Sequence, residues 1–209
     1  MPDPRTLVVV GTGIAAGVPD QCVLHIALNG IGTTPAEALD ICSNAAQGAI
    51  AAAVGAGVEQ DDVRTVNLSV QDFFDQAKQK VTARICSYQL EVIVRSLDDI
   101  GRVLGVLSDA AGDALQIRSL QLGLKDAEPV RKEARRRAVR DAQEKAQDLA
   151  GEAGLQLGVI LTLEDTEGSG SHGVRAMALA SGHVAASIPV EPGQVSVSTS
   201  VRITYAVDG

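Results

Sequence analysis

The chain has 209 residues, enough for one ample domain or two small ones. Hydrophobic residues make up 45% and charged residues 21%, which favours a packed core over disorder. Aromatics are only 2%, and 18 basic against 26 acidic residues leave a net charge of −8; this opposes both a stacking platform for single strands and a general phosphate-backbone binder.

Thr6–Val10 is a short aliphatic, β-branched run, and Gly11-Thr12-Gly13 after it reads as a turn. Val18–Asn29 alternates, with Cys22, Leu24, Ile26 and Leu28 on one face and Gln21, His25 and Asn29 on the other, as a half-buried strand does. Thr34, Pro35 and Glu37 then open a helix with a capping box. Leu39, Cys42, Ala46, Ile50 and Ala53 form its core stripe, and Gly55 and Gly57 end it. Val63–Val70 and Val81–Arg95 alternate again and predict a hairpin around the polar connector Gln71–Lys80. Ser96 and Asp99 suggest a second capping box before a helix that Gly112 closes. Leu115–Leu122 reads as a strand with a slip near Arg118. Glu128–Glu152 is the longest helix, striped by Ala134, Ala138, Ala142, Ala146 and Leu149. Leu157–Leu163 and Val195–Val207 supply two more strands, with the Gly- and Ser-rich stretch Glu164–Ile188 between them as a flexible insertion.

The order β-β-α-β-β-α-β-α-β-β indicates an α+β fold, mainly antiparallel, with three helices packed on the sheets. No linker separates two halves, so residues 6–207 are expected to form a single domain of two intertwined α/β halves, carrying the insertion at 164–188.

Few constellations point to chemistry. Gly11-Thr12-Gly13-Ile14-Ala15-Ala16-Gly17 lacks the helix start that a dinucleotide turn requires. His25 stands on a polar strand face without ligand-type neighbours, and His172 and His183 lie in the insertion, so no metal site is assigned. Cys22, Cys42 and Cys86 form no CxxC pair and fall on core faces, where cysteine behaves as a small hydrophobe. The acidic pairs Asp61-Asp62 and Asp98-Asp99 are explained by caps and turns. No catalytic or cofactor-binding residues and no cofactor are therefore expected, and the chain does not read as an enzyme. Arg131, Arg135, Arg136, Arg137 and Arg140 form the one candidate anion contact. The i,i+4 pairs Glu133/Arg137, Arg137/Asp141, Arg140/Glu144 and Asp141/Lys145 favour a solvated, salt-bridged face instead.

No apolar run is long enough for a transmembrane helix. Met1–Arg5 shows no signal-peptide pattern, so the cytoplasm is expected for the chain as written, with export or envelope association as the alternative if the native start lies upstream.

The ordered motifs resemble one family. Gly11-x-Gly13, Val18-Pro19-Asp20 and the helix opened by Thr34-x-Ala36-Glu37-Ala38-Leu39 are similar to the start of SIMPL-domain (DUF541) proteins. The likeness continues through Val63–Val70, Tyr88–Val92, Leu97–Gly101, Gly123-Leu124-Lys125-Asp126, the Ala-rich Glu133–Ala150 helix and Ile188–Val197. It departs at Arg84 and Cys86, where relatives usually carry an aromatic and a small residue. The resemblance implies an envelope protein among bacteria, a signalling-kinase associate among eukaryotes, and ring- or channel-like homo-oligomers for some bacterial members. It implies no catalytic residues. The expected function is thus a non-enzymatic, self-assembling homo-oligomer with a structural, envelope-associated or interaction role and an unidentified protein partner. The alternative is a small-ligand or anion-binding module using a sheet/helix pocket or the Arg131–Arg140 face. No nucleic-acid partner is expected.

Overall fold

The computed structural model describes residues 5–77, 79–165 and 193–208. In chain order these form β1 (Thr6–Gly17), β2 (Gln21–Gly32), α1 (Pro35–Gly55), β3 (Val63–Asp75), β4 (Lys80–Val94), α2 (Ile100–Ala111), β5 (Leu115–Gly123), α3 (Glu128–Glu152), β6 (Gln156–Asp165) and β7 (Val195–Asp208). The α+β class and the order of elements expected from periodicity are the ones observed. Both sheets are antiparallel, one in the order β1-β7-β6 and the other β3-β4-β2-β5.

The described chain divides into two compact units. One draws on residues 5–18, 126–165 and 193–208 and holds the three-stranded sheet with α3; the other spans 19–125 and holds the four-stranded sheet with α1 and α2. The insertion expected at 164–188 lies outside the described residues beyond Asp165, as do His172, His183 and Ile188-Pro189-Val190-Glu191-Pro192.

In the first unit, Ala134, Ala138, Ala142, Ala146 and Ala150 of α3 are buried against a sheet face that includes Val9, Val201, Ile203 and Tyr205. An alanine stripe lets a helix backbone approach closely, and the sheet must leave room for it. Gly11 and Gly13 do so: a Cβ on Gly11 would meet Ala138 O and Ala142 N, and one on Gly13 would meet Ala134 O and Ala138 N. Gly11–Gly17 is therefore not the turn that its glycines suggest. It continues β1, paired residue by residue from Gly11↔Val201 to Gly17↔Val195.

In the second unit, Cys22, Leu24, Ile26 and Leu28 of β2 and Leu90, Val92 and Val94 of β4 pack under α1 and α2. Thr34 caps α1, its Oγ accepting from Glu37 N–H at 3.2 Å. The Glu37 carboxylate accepts from Thr33 N–H and Thr33 Oγ at 2.7 and 2.6 Å, one residue earlier than a capping box has it. Ser96 makes no side-chain cap. A 3-10 turn over Leu97–Asp99 leads into α2, and Asp99 pairs with Arg102 at 2.7 Å. The slip near Arg118 is a β-bulge opposite His25 and Ile26, and β3 carries a second bulge between Thr65 and Asn67.

Candidate functional site

Burial of the alanine stripe decides which α3 side chains face water. Lys132, Arg135, Arg136, Val139, Arg140 and Gln143 recur at helical spacing and line an open hollow of about 450 Å³ with no acidic residue among the described residues of its wall. Of the five candidate arginines, Arg135, Arg136 and Arg140 meet here, joined by Lys132, whereas Arg131 and Arg137 do not line it. Arg131 lies 3.8 Å from Glu128. Arg137 donates to Glu133 at 3.0 Å and to the Ile14 carbonyl at 2.7 Å, which ties α3 to β1.

The pairs expected along this helix form only in part. Glu133/Arg137 and Asp141/Lys145 are present at 3.0 and 2.7 Å. Asp141 turns toward the sheet, where its carboxylate accepts from Thr12 N–H at 2.7 Å, so Arg137/Asp141 does not form. The Lys145 ammonium, then Thr12 N–H, hold the Asp141 carboxyl below its ordinary range. Arg135 is paired with Glu128 at 2.9 Å and Asp165 at 3.3 Å, and Arg136 lies 3.7 Å from Glu133. Lys132 and Arg140 have no ion-pair partner among the described residues. Such a stripe can hold anionic groups through several exposed contacts, each weak alone.

Two other hollows are more structural. One of about 240 Å³ beside the end of α1 includes Glu59, Asp62, Arg95, Ser96 and Asp99. Two of its carboxylates are paired: Arg95 grips Asp62, and Arg102 donates to the Ala56 carbonyl and to Asp99. Asp62 is thus a buried ion-pair partner and not a cap, contrary to its position in the sequence. A second, of about 190 Å³, lies where the two β-bulges bring Val66 and Arg118 beside His25 and Gln89. Among the described residues no three metal-ligating side chains gather in one place.

The cysteines are buried, as their strand and helix positions imply. Burial pushes the Cys22 thiol up to about 11 and the Cys42 thiol up to about 12, the neighbouring Cys86 thiol adding to the latter. Neither Cys22 nor Cys42 is poised as a nucleophile at neutral pH.

The β3–β4 hairpin forms as expected, but sequence reasoning missed how far β3 extends and the apolar edge it exposes. β3 runs to Asp75, well into the expected connector, and the turn is confined to residues 76–79. β3 is a sheet edge, and Val66, Leu68, Val70, Phe73 and Phe74 along it are all exposed, at 41 to 58%. The available signal was the adjacent Phe73-Phe74, half of the chain's aromatic residues, in an otherwise polar stretch.

Among the described residues no helix is long and apolar enough to cross a membrane. Two similar proteins are both named 26 kDa periplasmic immunogenic protein, one from Brucella melitensis biotype 1 and one from Brucella abortus. Each is 27% identical over 219 residues, covering 98% of this chain and 85% of the relative. The family model SIMPL, a protein family of unknown function (DUF541), matches residues 7–205. With nearly its whole length matched, the chain belongs to the SIMPL family.

Proposed function

We propose that this chain is an exported, envelope-associated SIMPL protein without catalytic activity, which assembles with copies of itself. The carrying observation is the open edge of β3. Its backbone lacks a second strand partner among the described residues, and five large apolar side chains stand exposed along it. Natural proteins protect such edges or use them for strand addition. A second copy is the fitting occupant on charge grounds. Residues 63–94 carry four basic and three acidic side chains within a chain of net charge −8, so like copies repel least at this hairpin. Export is supported by the printed names of the relatives. In this reading the two units make one SIMPL domain over residues 6–207.

Analytical ultracentrifugation of the full chain at micromolar concentration tests it. An assembly that F73S/F74S or V66K/L68K returns toward the 21.6 kDa monomer is expected. A monomeric wild type overturns the assembly reading.

A second reading has its own observation, the stripe of Lys132, Arg135, Arg136 and Arg140, in which Lys132 and Arg140 have no ion-pair partner among the described residues. It fits an anionic ligand or acidic partner segment. Binding of a polyanion such as polyglutamate that falls with added salt and is lost in R136E/R140E supports it; binding indifferent to both removes it.

A further inference from the structure

We propose that Cys42 and Cys86 form a redox pair that closes into a reversible intrachain disulfide. Cys42 lies on α1 and Cys86 on β4, 44 positions apart in the chain, and glycine brings them together. Gly30 of β2 is the ladder partner of Cys86. A Cβ on Gly30 would lie 2.7 Å from Cys42 N and 3.1 Å from Cys42 Cβ, so α1 rests on the sheet here with no side chain between.

Antiparallel partners have Cα atoms about 4.5–5.5 Å apart. Residue 42 thus sits one layer above the ladder position beside Cys86, a placement compatible with the roughly 4.4–6.8 Å between Cα atoms that a disulfide spans. The Cys42 thiol is directed along that ladder, donating from Sγ to the Leu28 carbonyl at 3.0 Å, and Leu28 faces Tyr88 across it. Cys42, Cys86 and Ala38 form a buried cluster of their own, against which Tyr88 packs.

The third cysteine is no competitor. Cys22 stands opposite Val94 and Leu122, eight residues from Gly30 along β2. At a strand rise of about 3.3 Å per residue it lies about 26 Å away.

The reaction is thiol–disulfide exchange with an external disulfide, either glutathione disulfide or a thioredoxin-fold oxidant. One cysteine thiolate attacks the oxidant and forms a mixed disulfide, releasing one thiol. The other thiolate then attacks the cysteine sulfur of that mixed bond, releasing the second thiol. Two protons and two electrons pass from the pair to the oxidant. The closed bridge is neutral and suits a dry site that disfavours a thiolate. Because both thiols are buried away from any external disulfide, closure proceeds while α1 is undocked, during folding or local opening. The bridge would staple α1 to the central strands. Its persistence in an oxidising compartment rests on the export proposed above; its formation does not.

The test takes the full chain through refolding in glutathione buffers of graded redox ratio, quenches with acid, alkylates under denaturing conditions, and reads intact mass and peptide maps. Reduced protein takes a label at each of its three cysteines. Oxidised protein is expected to take a label at Cys22 alone, to weigh two hydrogens less before labelling, and to yield a peptide joining Cys42 to Cys86. The C22S variant then takes no label. C42A and C86S each take two and lose the rise in melting temperature that oxidation gives the wild type. Labels at all three cysteines in oxidising buffer overturn the proposal, as does a bridge to Cys22 or a glutathione adduct without the cross-link. The wild-type map decides even where a variant fails to fold. Cell fractionation reads export separately, so a bridge found in a chain that stays in the cytoplasm overturns export and leaves the bridge standing.

Discussion

Arg95 donates Nε and Nη2 to the two carboxylate oxygens of Asp62, at 2.6 and 3.0 Å, from opposite sides of the solvent boundary: the Asp62 side chain is 6% exposed and that of Arg95 53%. The Asp62 hydrogen bond and charge raise the Arg95 pKa above its ordinary value. The pair joins the 3-10 turn before β3 to the residue that follows β4.

The two halves of this pair are unequal. Removing Arg95 leaves a buried carboxylate without its counter-ion, whereas removing Asp62 leaves a guanidinium that water can still reach. R95L is therefore expected to lower the melting temperature more than D62N, and R95L/D62L to recover part of the loss. Thermal unfolding followed by circular dichroism checks this, and equal losses for the two single variants would contradict it.

Gly13 and Gly11 are required by the approach of α3. A methyl group at either position meets helix backbone, which cannot move aside as a side chain could. Gly13→Ala and Gly11→Ala should each cost about 3 kcal/mol, the upper range for overpacking. Gly105 in α2 is the contrasting case, since a Cβ there meets nothing within 4 Å. Gly105→Ala should stabilise by about 0.8 kcal/mol through helix propensity. Urea midpoints at constant m-value measure all three.

Acid sensitivity is expected at two carboxylates. Glu37 lies below its ordinary 4.5 chiefly because the Thr33 hydroxyl and backbone N–H donate to it, and Asp141 below its ordinary 3.8 chiefly because of Lys145. A depressed carboxyl contributes stability that is present above its unfolded pKa and is lost as pH falls through the lower folded value. The melting temperature should therefore fall as pH drops below 4.5, and E37Q and D141N should flatten that fall while lowering the plateau near neutrality. Variants that shift the plateau but leave the acid slope unchanged would contradict the assignment.

Thiol chemistry supplies a fourth expectation. With Cys22 raised to about 11 and Cys42 to about 12 by burial, almost no thiolate is present at these two positions at pH 8 in the folded chain, and Cys86 is buried with them. The reduced native protein should react with a bulky aromatic disulfide reagent only at the rate of its opening, and denaturant should make reaction prompt. Rapid reaction of native protein at pH 8 would show that the thiols are not sequestered.

Periodicity made much of this fold legible. The Thr34-Pro35-Glu37 start, the alanine stripe of α3 and the alternation of β2 and β4 all appear where local pattern places them. Misreadings occurred where a distant partner decides. Gly11-Thr12-Gly13 has local turn chemistry, yet α3, about 125 residues later, makes the missing side chains a packing requirement within a strand. Asp62 looks like a helix-start acid, but Arg95 buries it as an ion-pair partner. In the candidate site, α3's exposed stripe follows from helical spacing alone. Which arginines remain available does not, because Ile14 and Thr12 of β1 engage Arg137 and Asp141, which keep their pairs with Glu133 and Lys145 but do not pair with each other.

The composition established an acidic, aromatic-poor α+β chain whose core consists of small and branched aliphatics, and the ordered motifs carried its family. Those properties are local or additive: charge, alternation and capping depend on residues within one or two turns of each other. The tertiary structure decided what depends on the approach of remote segments. It set Cys42 beside Cys86 over Gly30, exposed the apolar side chains along β3, and tied Arg137 to Ile14 while Arg140 found no ion-pair partner among the described residues. Such contacts arise when one element's missing side chains admit another element's backbone, and no residue's immediate neighbours in the chain encode that distance.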